Sequence, residues 1–429
     1  MATRTVKVDE IARVEGTGSL VVTLHDDRPA DVRLDIFEPP RFFEALLRGR
    51  SYLDAPDVTA RICGICPAAY QMSACHAMED ALGLSPGAEV RALRRLLYAG
   101  EWIESHALHV VMLHAPDFLG FPDAISMAKD HGDLVRAGLR MKKAGNAVLR
   151  AVGGREVHPV NVRVGGFHRA PTRDELGALL PELRWGKSAA RELALRVGGF
   201  DLPEGTSDQE LVALRGPGEY PLCHGRVVST EGIDVGARDV EDVFVESQVP
   251  HSTALHSRVR ARGVYLTGPL ARFALNRDQL RPFAAALADE LGLPARVTNP
   301  HASIVVRALE IAQAFDEAIE LVEAYAPPRP AFVEAPPRAA VGHACTEAPR
   351  GLLYHRYELD DAGLIVDAKI VPPTSQNQGA IEEELRRVAP LLASLSDAKA
   401  ARLAERVVRN HDPCISCATH FLTLRVERP

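Results

Sequence analysis

The 429-residue sequence lacks several features that would place it in a broad class of proteins. It has no uninterrupted run of about 18 apolar residues, the length that a membrane-spanning helix needs. It has no tract rich in lysine or arginine, and its net charge of −7 gives no electrostatic signature of nucleic-acid binding. The first residues, MATRTVKVDEIARVEG, contain no apolar signal-peptide core. We therefore expect a cytoplasmic protein with no membrane span and no nucleic-acid partner.

Nucleotide-binding signatures are also missing. No G-x-G-x-x-G opens a helix after a strand, and no P-loop occurs. Cysteine is scarce: there are seven, and four of them fall into two C-x-x-C pairs. Apart from these four, no group of cysteines could hold an iron–sulfur cluster.

The hydrophobic patterns predict the fold class. TVKVDEI, SLVVTLHDD and ADVRLDIF alternate apolar and polar residues, which predicts a small antiparallel sheet over about residues 1–38. Helical patterns dominate from about 39 to 420, with β-rich insertions at 208–268 and about 330–373. We predict one helix-rich α+β domain over 1–429, with a central bundle of long helices and small antiparallel sheets at its periphery.

The longest helical patterns define the expected bundle and the last part of the chain. They are 87–114, 123–152, 172–197 with an interruption at Pro181, 276–292, 303–325, 378–395 and 397–410.

The two cysteine pairs stand in RICGIC (61–66) and DPCISCATH (412–420), with 347 residues between the pairs. Thiolates are soft ligands that suit zinc, iron–sulfur clusters or another thiophilic metal. A zinc ribbon places its two pairs about 15–20 residues apart, so the spacing disfavours a local zinc knuckle. A shared site would need long-range tertiary closure. The spacing also allows two unrelated pairs or a distant structural zinc site.

The flanking residues make the interpretation more specific. RICGIC and DPCISCATH resemble the two signatures of the large, catalytic subunit of nickel–iron hydrogenases, and the resemblance runs over nearly the whole chain. Further motifs match in order and spacing: ARVEG (12–16), RFFEALLRGR (41–50), GGREVHP (153–159), EAPRG (347–351) and PPTSQN (372–377). The resemblance implies the large-subunit fold of that family. It also implies reversible heterolytic cleavage of H2, with electrons passed to an iron–sulfur small subunit.

Two other functions remain as alternatives. The same fold could serve as an H2-sensing regulatory subunit with low turnover. The cysteines could also belong to a structural zinc protein, which metal analysis would distinguish from a protein that holds nickel and iron.

The resemblance implies a nickel held by four thiolates and an iron that carries carbonyl and cyanide ligands. Cys63 and Cys414 would be terminal nickel ligands, and Cys66 and Cys417 would bridge nickel and iron. The other cysteines have no pair pattern and are interpreted as small core residues. They are Cys75, Cys223 and Cys345.

Four residues are expected around the metals from the matching motifs. Glu15 would be a proton relay beside Cys414, since a partly desolvated carboxylate can have its pKa tuned for transfer. Arg350 would project over the open side of the metals, where its fixed charge could help to polarise H2. Thr374 and Ser375 would hydrogen-bond a cyanide on iron, with Ser375 preferred.

Glu44 and His420 match the magnesium site of the family, with a backbone carbonyl from about 370–371 as a further ligand. Magnesium prefers oxygen ligands, whereas His420 offers a nitrogen. The assignment of this magnesium site therefore depends on the resemblance alone. Two positions depart from the family pattern: Tyr70 stands where histidine is frequent, and Ser105 stands where many members have aspartate. Both substitutions change the groups that orient the metal ligands.

The resemblance also implies partners. These are a diaphorase pair that uses NADP(H), a maturation protease and the iron–sulfur small subunit. The protease would remove the nine residues after His420, FLTLRVERP (421–429), once nickel is inserted.

Overall fold

The first strands form the antiparallel sheet that the alternating pattern predicts. The computed structural model describes residues 3–26 and 28–420, so the extension 421–429 predicted to be removed lies outside the described residues. Three strands pair antiparallel in chain order. They are Thr3–Val8, Gly18–His25 and Arg28–Ile36. Strand alternation turns one apolar face inward, where Val22 and Leu34 pack in one cluster with Leu385 and Leu403 of two later helices.

Four long helices pack against one another at the centre of the fold. They are Ala88–Ala107, Gly132–Gly153, Leu180–Gly198 and Ser303–Glu323. The first two approach closely at Gly145, where an added Cβ would lie 2.5 Å from the carbonyl oxygen of Gly100. Glycine is therefore needed at position 145 for the two helix backbones to meet.

The other helices are shorter or lie around this bundle. They are Phe43–Leu47, Ala55–Thr59, Pro67–Leu82, Ala115–Leu119, Ala124–Met127, Arg173–Gly177, Val240–Val243, Pro269–Asn276, Pro282–Glu290, Pro373–Ser394, Asp397–Arg409 and Ile415–Ala418. Several begin with proline, which lacks the N–H that the first helical position leaves unpaired. Within the described residues, no helix is long and apolar enough to cross a membrane.

The remaining sheets are small and peripheral. One is an antiparallel meander of Ala340–Ala348, Gly351–Leu359 and Ile365–Val371. A second runs in the order Tyr265–Leu266, Glu210–Arg215, Arg226–Ser229 and Asp234–Val235. Two strand pairs complete the set: Phe244–Ser247 with His256–Val259, and Val162–Arg163 with Gly166–Phe167. The helix-rich α+β class with small sheets is confirmed, except that Tyr265–Leu266 pairs in parallel with its neighbour.

Three helices differ from their predicted form. Pro67–Leu82 was not expected, because almost all of its residues are buried and no polar face marks it. The pattern at 87–114 ends as a regular α-helix at Ala107 and continues as a wider π-helical turn, Leu108–His114. The pattern at 123–152 is divided, because His131 leaves helical geometry before the helix that begins at Gly132.

Candidate metal centre

The first cysteine pair lies in a turn that leads into a helix, and the second pair spans the start of a short helix. The first pair directly precedes the helix Pro67–Leu82. Its Cys63 Sγ accepts the backbone N–H groups of Ile65 at 3.3 Å and of Cys66 at 3.1 Å. Cys414 likewise directly precedes a four-residue helix. N–H groups that point at a sulfur favour its thiolate form.

The four sulfur atoms converge on one buried point. Cys63 Sγ lies 3.6 Å from Cys414 Sγ and 2.9 Å from Cys66 Sγ. The donor atoms of Cys63, Cys66 and Cys417 all lie within 4.8 Å of one another. None of the four side chains is more than 5% exposed. The long-range closure that a shared site requires is therefore present, and the alternative of two unrelated pairs is excluded.

The second pair differs from the prediction in one respect. The sequence predicts two separate thiolates, whereas the Sγ atoms of Cys414 and Cys417 are joined to each other as a disulfide. Both side chains leave one turn and point towards the same place, which brings their sulfurs into contact. As metal ligands, both would be reduced thiolates.

The surroundings favour the thiolate form of one cysteine of the first pair, Cys63, whereas the hydrogen bond to Cys63 and burial raise the pKa of Cys66. Burial opposes ionisation of Cys63, but the Cys66 thiol and the charge of Arg350 outweigh it and lower the pKa of Cys63. Burial instead raises the pKa of the unpaired cysteines, in the case of Cys223 to about 12. The buried thiols Cys75 and Cys345 are affected in the same way, so the three behave as the core residues that the sequence predicts.

Arg350 is held against the turn that precedes Cys414. Its Nε donates to the carbonyl oxygen of Asp412 at 2.8 Å, and one terminal nitrogen lies 3.1 Å from Asp412 Oδ1. The other terminal nitrogen lies 3.3 Å from the hydroxyl of Ser105. Burial opposes its charge, but Asp412 and the nearby sulfurs outweigh burial and raise the pKa of Arg350, which therefore stays cationic.

Glu15 lies beside Cys414, where the matching motif places it. Cys414 Sγ lies 2.9 Å from Glu15 Oε2, and the same oxygen accepts the N–H of Ser416 at 3.2 Å. The backbones also pair, since the N–H of Ile415 donates to the carbonyl oxygen of Glu15 at 2.9 Å. Gly16 permits this approach, because it has φ +83° and an added Cβ would lie 2.8 Å from the Ser416 nitrogen.

Thr374 and Ser375 occupy the first turn of the helix Pro373–Ser394. The Thr374 hydroxyl oxygen accepts the N–H of Cys414 at 2.9 Å, and the Ser375 hydroxyl donates to the carbonyl oxygen of Pro372 at 2.8 Å. Both side chains are buried. Thr374 therefore contacts the second cysteine pair directly, and Ser375 lies one residue further along.

Glu44 and His420 form a pair at the edge of the centre. Glu44 Oε2 lies 3.1 Å from His420 Nε2, and Glu44 Oε1 accepts the N–H of Ile370 at 2.7 Å. The expected backbone ligand at 370–371 is a carbonyl, but the backbone group of Ile370 that faces Glu44 is its N–H. Glu44, His420 and Cys417 line one cavity of about 190 Å³.

These donor sets fit the metals that the sequence predicts. Four buried sulfurs around one point suit thiophilic transition metals. A carboxylate and an imidazole that face a small cavity leave room for the waters that magnesium retains.

Comparison with known proteins decides the family. A sequence model described as nickel-dependent hydrogenase matches residues 41–167 and 268–420. The chain belongs to the nickel-dependent hydrogenase family. It is the catalytic subunit of a hydrogenase, an oxidoreductase that acts on H2. Membership implies a nickel–iron centre, which excludes a purely structural zinc protein.

Curated relatives match this hydrogenase almost from end to end. The alpha subunit of sulfhydrogenase 2 from Pyrococcus furiosus is 35% identical, over 98% of this chain and 100% of the relative. One subunit of the F420-non-reducing hydrogenase from Methanothermobacter marburgensis is 30% identical, over 97% and 94%. The beta subunit of the NAD-reducing hydrogenase HoxS from Cupriavidus necator is 26% identical, over 98% and 95%.

Solved hydrogenase structures share the fold. An NAD⁺-reducing [NiFe]-hydrogenase in the H2-reduced state gives a TM-score of 0.88 at 27% identity, covering 98% of this chain and 100% of that chain. A [NiFeSe]-hydrogenase from Dm. baculatum gives a TM-score of 0.80 at 22% identity, with coverage of 98% and 100%. The predicted large-subunit fold is thereby confirmed.

Two residues of this hydrogenase site were not expected from the sequence. Asp412 adopts φ +49° and binds Arg350 through both its backbone and its carboxylate. Its place directly before Pro-Cys in the second cysteine motif could have indicated it. Arg272 is fully buried and donates to the carbonyl oxygens of Ala348 and Pro349, each at 2.9 Å. Arg272 thus holds the turn that carries Arg350. Its position as an arginine among apolar residues of the helix Pro269–Asn276 could have indicated a buried role.

Proposed function

We propose that this subunit splits H2 heterolytically and reversibly at a nickel–iron centre held by Cys63, Cys66, Cys414 and Cys417. The observation that carries the proposal is the convergence of four buried sulfurs from the two ends of the chain on one point. Cys63 and Cys414 are assigned as terminal nickel ligands, and Cys66 and Cys417 as bridges to iron. Nickel and iron bound there would supply the redox chemistry of H2 cleavage.

Proton transfer is assigned to side chains of this chain. Cys414 takes the proton first and passes it to Glu15, whose Oε2 lies 2.9 Å from Cys414 Sγ. Glu15 is half-buried, so it links the buried sulfur to the outer layer of the fold. Arg350 acts through its fixed charge rather than as a base, because a guanidinium hardly deprotonates.

The iron is proposed to carry carbonyl and cyanide ligands, with hydroxyl donors from the helix that begins at Pro373. A hydroxyl has one hydrogen to donate and can accept two hydrogen bonds. Ser375 gives its hydrogen to Pro372, whereas Thr374 accepts from Cys414 and keeps its hydrogen available. The contacts therefore favour Thr374 as the cyanide donor in this conformation, although the sequence motif alone favours Ser375.

A magnesium ion or a similar divalent ion is proposed at Glu44 and His420. Their side chains lie 3.1 Å apart on the cavity that Cys417 also lines. An ion there would fix His420 next to the second cysteine pair.

Several partners are proposed. The related chains are each named as one subunit of a hydrogenase, which supports a complex with other subunits. Because the cysteines outside the centre form no cluster pattern, we assign the electron acceptor to an iron–sulfur small subunit. The name of the HoxS relative supports a diaphorase pair that uses a nicotinamide cofactor, NADP(H) in our proposal. A maturation protease and a cytoplasmic location complete the proposal.

Infrared spectroscopy and metal analysis of the purified complex test the centre. We expect nickel and iron together, with carbonyl and cyanide stretching bands that no other protein group produces. Zinc alone, without these bands, would contradict the proposal. Turnover with an artificial electron acceptor then separates an enzyme from an H2 sensor, because a sensor would bind H2 with low turnover.

A further inference from the structure

A second group of metal-ligating side chains lies apart from the cysteine centre. His251 stands in the loop after the strand Phe244–Ser247, and His256 begins the next strand. Glu382 lies in the interior of the helix Pro373–Ser394. One donor atom from each of the three residues lies within 4.8 Å of the other two. No role assigned above uses these residues.

The carboxylate of this group is fixed and can be reached from solvent. Glu382 Oε1 accepts the N–H of Leu34 at 3.1 Å and lies 3.0 Å from His251 Nε2. The Glu382 side chain is 7% exposed, whereas the His251 side chain is 20% exposed. An ion could therefore enter along His251 and meet a carboxylate that is already in position.

His256 is not explained by the His251–Glu382 pair. Its Nε2 is buried and has no hydrogen-bond partner within the part of the chain that the structure describes. The two imidazoles meet edge to face, with ring centroids 5.6 Å apart. Burial lowers the pKa of His256, so the ring is neutral at neutral pH, which is the form that binds a metal. A buried polar atom without a partner needs an explanation.

We propose that His251, His256 and Glu382 form a binding site for a divalent transition ion of the zinc type. Two imidazoles and one carboxylate are the donor set of open zinc sites, in which water takes the fourth position. The inference does not depend on the function proposed for the cysteine centre.

One nearby cation must be considered. Arg386 lies 3.9 Å from Glu382 Oε2 on the same helix. It also donates to Glu383 at 2.8 Å, and its side chain is 38% exposed. Its charge is therefore already paired and largely in solvent, so it opposes a bound ion only weakly.

The position of the site indicates what the ion would do. The His251 loop already makes two hydrogen bonds: Ser252 donates to Gln378 Oε1 of the same helix at 2.9 Å, and Thr253 donates to the carbonyl oxygen of Ile36 at 3.1 Å. A metal at the cluster would add a further link between this loop and the helix that carries Glu382. We assign this metal ion a structural role, in which it links the His251 loop to the helix Pro373–Ser394.

Zinc binding by the nickel-loaded hydrogenase complex tests the proposal. Three proteins are dialysed against micromolar Zn²⁺, and the zinc bound per subunit is measured. They are wild type, His256→Gln and the control His168→Gln, which changes an exposed histidine elsewhere. Wild type and control should hold one zinc more than His256→Gln. The affinity of His256→Gln for zinc at this site should fall by at least about 10- to 100-fold, because that loss is seen even for groups that only orient a metal ligand. Equal zinc contents in all three would overturn the site.

Thermal unfolding gives a second readout with a milder variant. The His251 side chain is 20% exposed, so His251→Gln should fold even if His256→Gln does not. Zinc should raise the unfolding temperature of wild type and of the control, because it binds the folded state. Zinc should leave the unfolding temperature of His251→Gln unchanged. A wild type whose unfolding temperature does not respond to zinc would also overturn the proposal.

Discussion

Replacing Glu15 with glutamine should separate proton transfer from metal binding. Glu15 Oε2 lies 2.9 Å from Cys414 Sγ and accepts the Ser416 N–H at 3.2 Å. Glutamine has the same length, and its amide oxygen can still accept from Ser416, so the turn should persist. The amide cannot take up a proton from Cys414. Loss of a positioned acid–base group lowers a rate by about 10²–10⁴-fold, which corresponds to about 3–5 kcal/mol in the activation barrier.

The assay measures H2 oxidation with an artificial dye and H2/D2O exchange on the purified complex. Both rates should fall by that factor in Glu15→Gln, while nickel and iron contents and the infrared bands stay as in wild type. Glu10→Gln serves as a matched control, because Glu10 is exposed on the same N-terminal segment and should keep full activity. Wild-type exchange in Glu15→Gln would refute the relay. Loss of the metals would show instead that Glu15 holds the turn.

Three further outcomes are expected. A protein in which any one of the four ligand cysteines is changed to serine should lose most activity and bound nickel, because a hard alkoxide replaces a soft thiolate. The control Cys75→Ser should retain both. An active Cys414→Ser protein with normal nickel content would contradict the ligand set. The intact mass of the active subunit should lack residues 421–429, and a full-length active chain would refute processing. Gly145→Ala should lower the free energy of unfolding by about 1–3 kcal/mol through overpacking, measured by denaturant titration, whereas Gly177→Ala, with no atom within 4 Å of an added Cβ, should not.

The parts of the metal centre that could be predicted are those whose contacting residues lie within short sequence motifs. The two cysteine pairs and the segment that ends in Glu15–Gly16 are each short and continuous in sequence, and the structure brings them together. Asp412 shows the limit of such motifs. It stands beside Cys414, yet its partner Arg350 is 62 residues away along the chain, and only the tertiary fold joins the two.

The helices show the same limit for secondary structure. Amphipathic patterns were found at Ser303–Glu323 and Asp397–Arg409, where polar residues mark the solvent side. Pro67–Leu82 is buried on nearly all sides and therefore carries no helical periodicity of polar residues. The His251 cluster was missed for a related reason, because its third member comes from a distant helix.

The distance along the chain between Cys63 and Cys414, 351 positions, has a consequence for how the enzyme is made. At about 5 to 20 residues per second, a ribosome needs roughly 20 to 70 s to add the second pair after the first has emerged. During that interval the nascent chain offers two thiolates, an incomplete set that zinc could occupy. Nickel loading at four thiolates must therefore follow synthesis of the second pair, so the separation of the two pairs along the chain sets the order of synthesis and metal insertion.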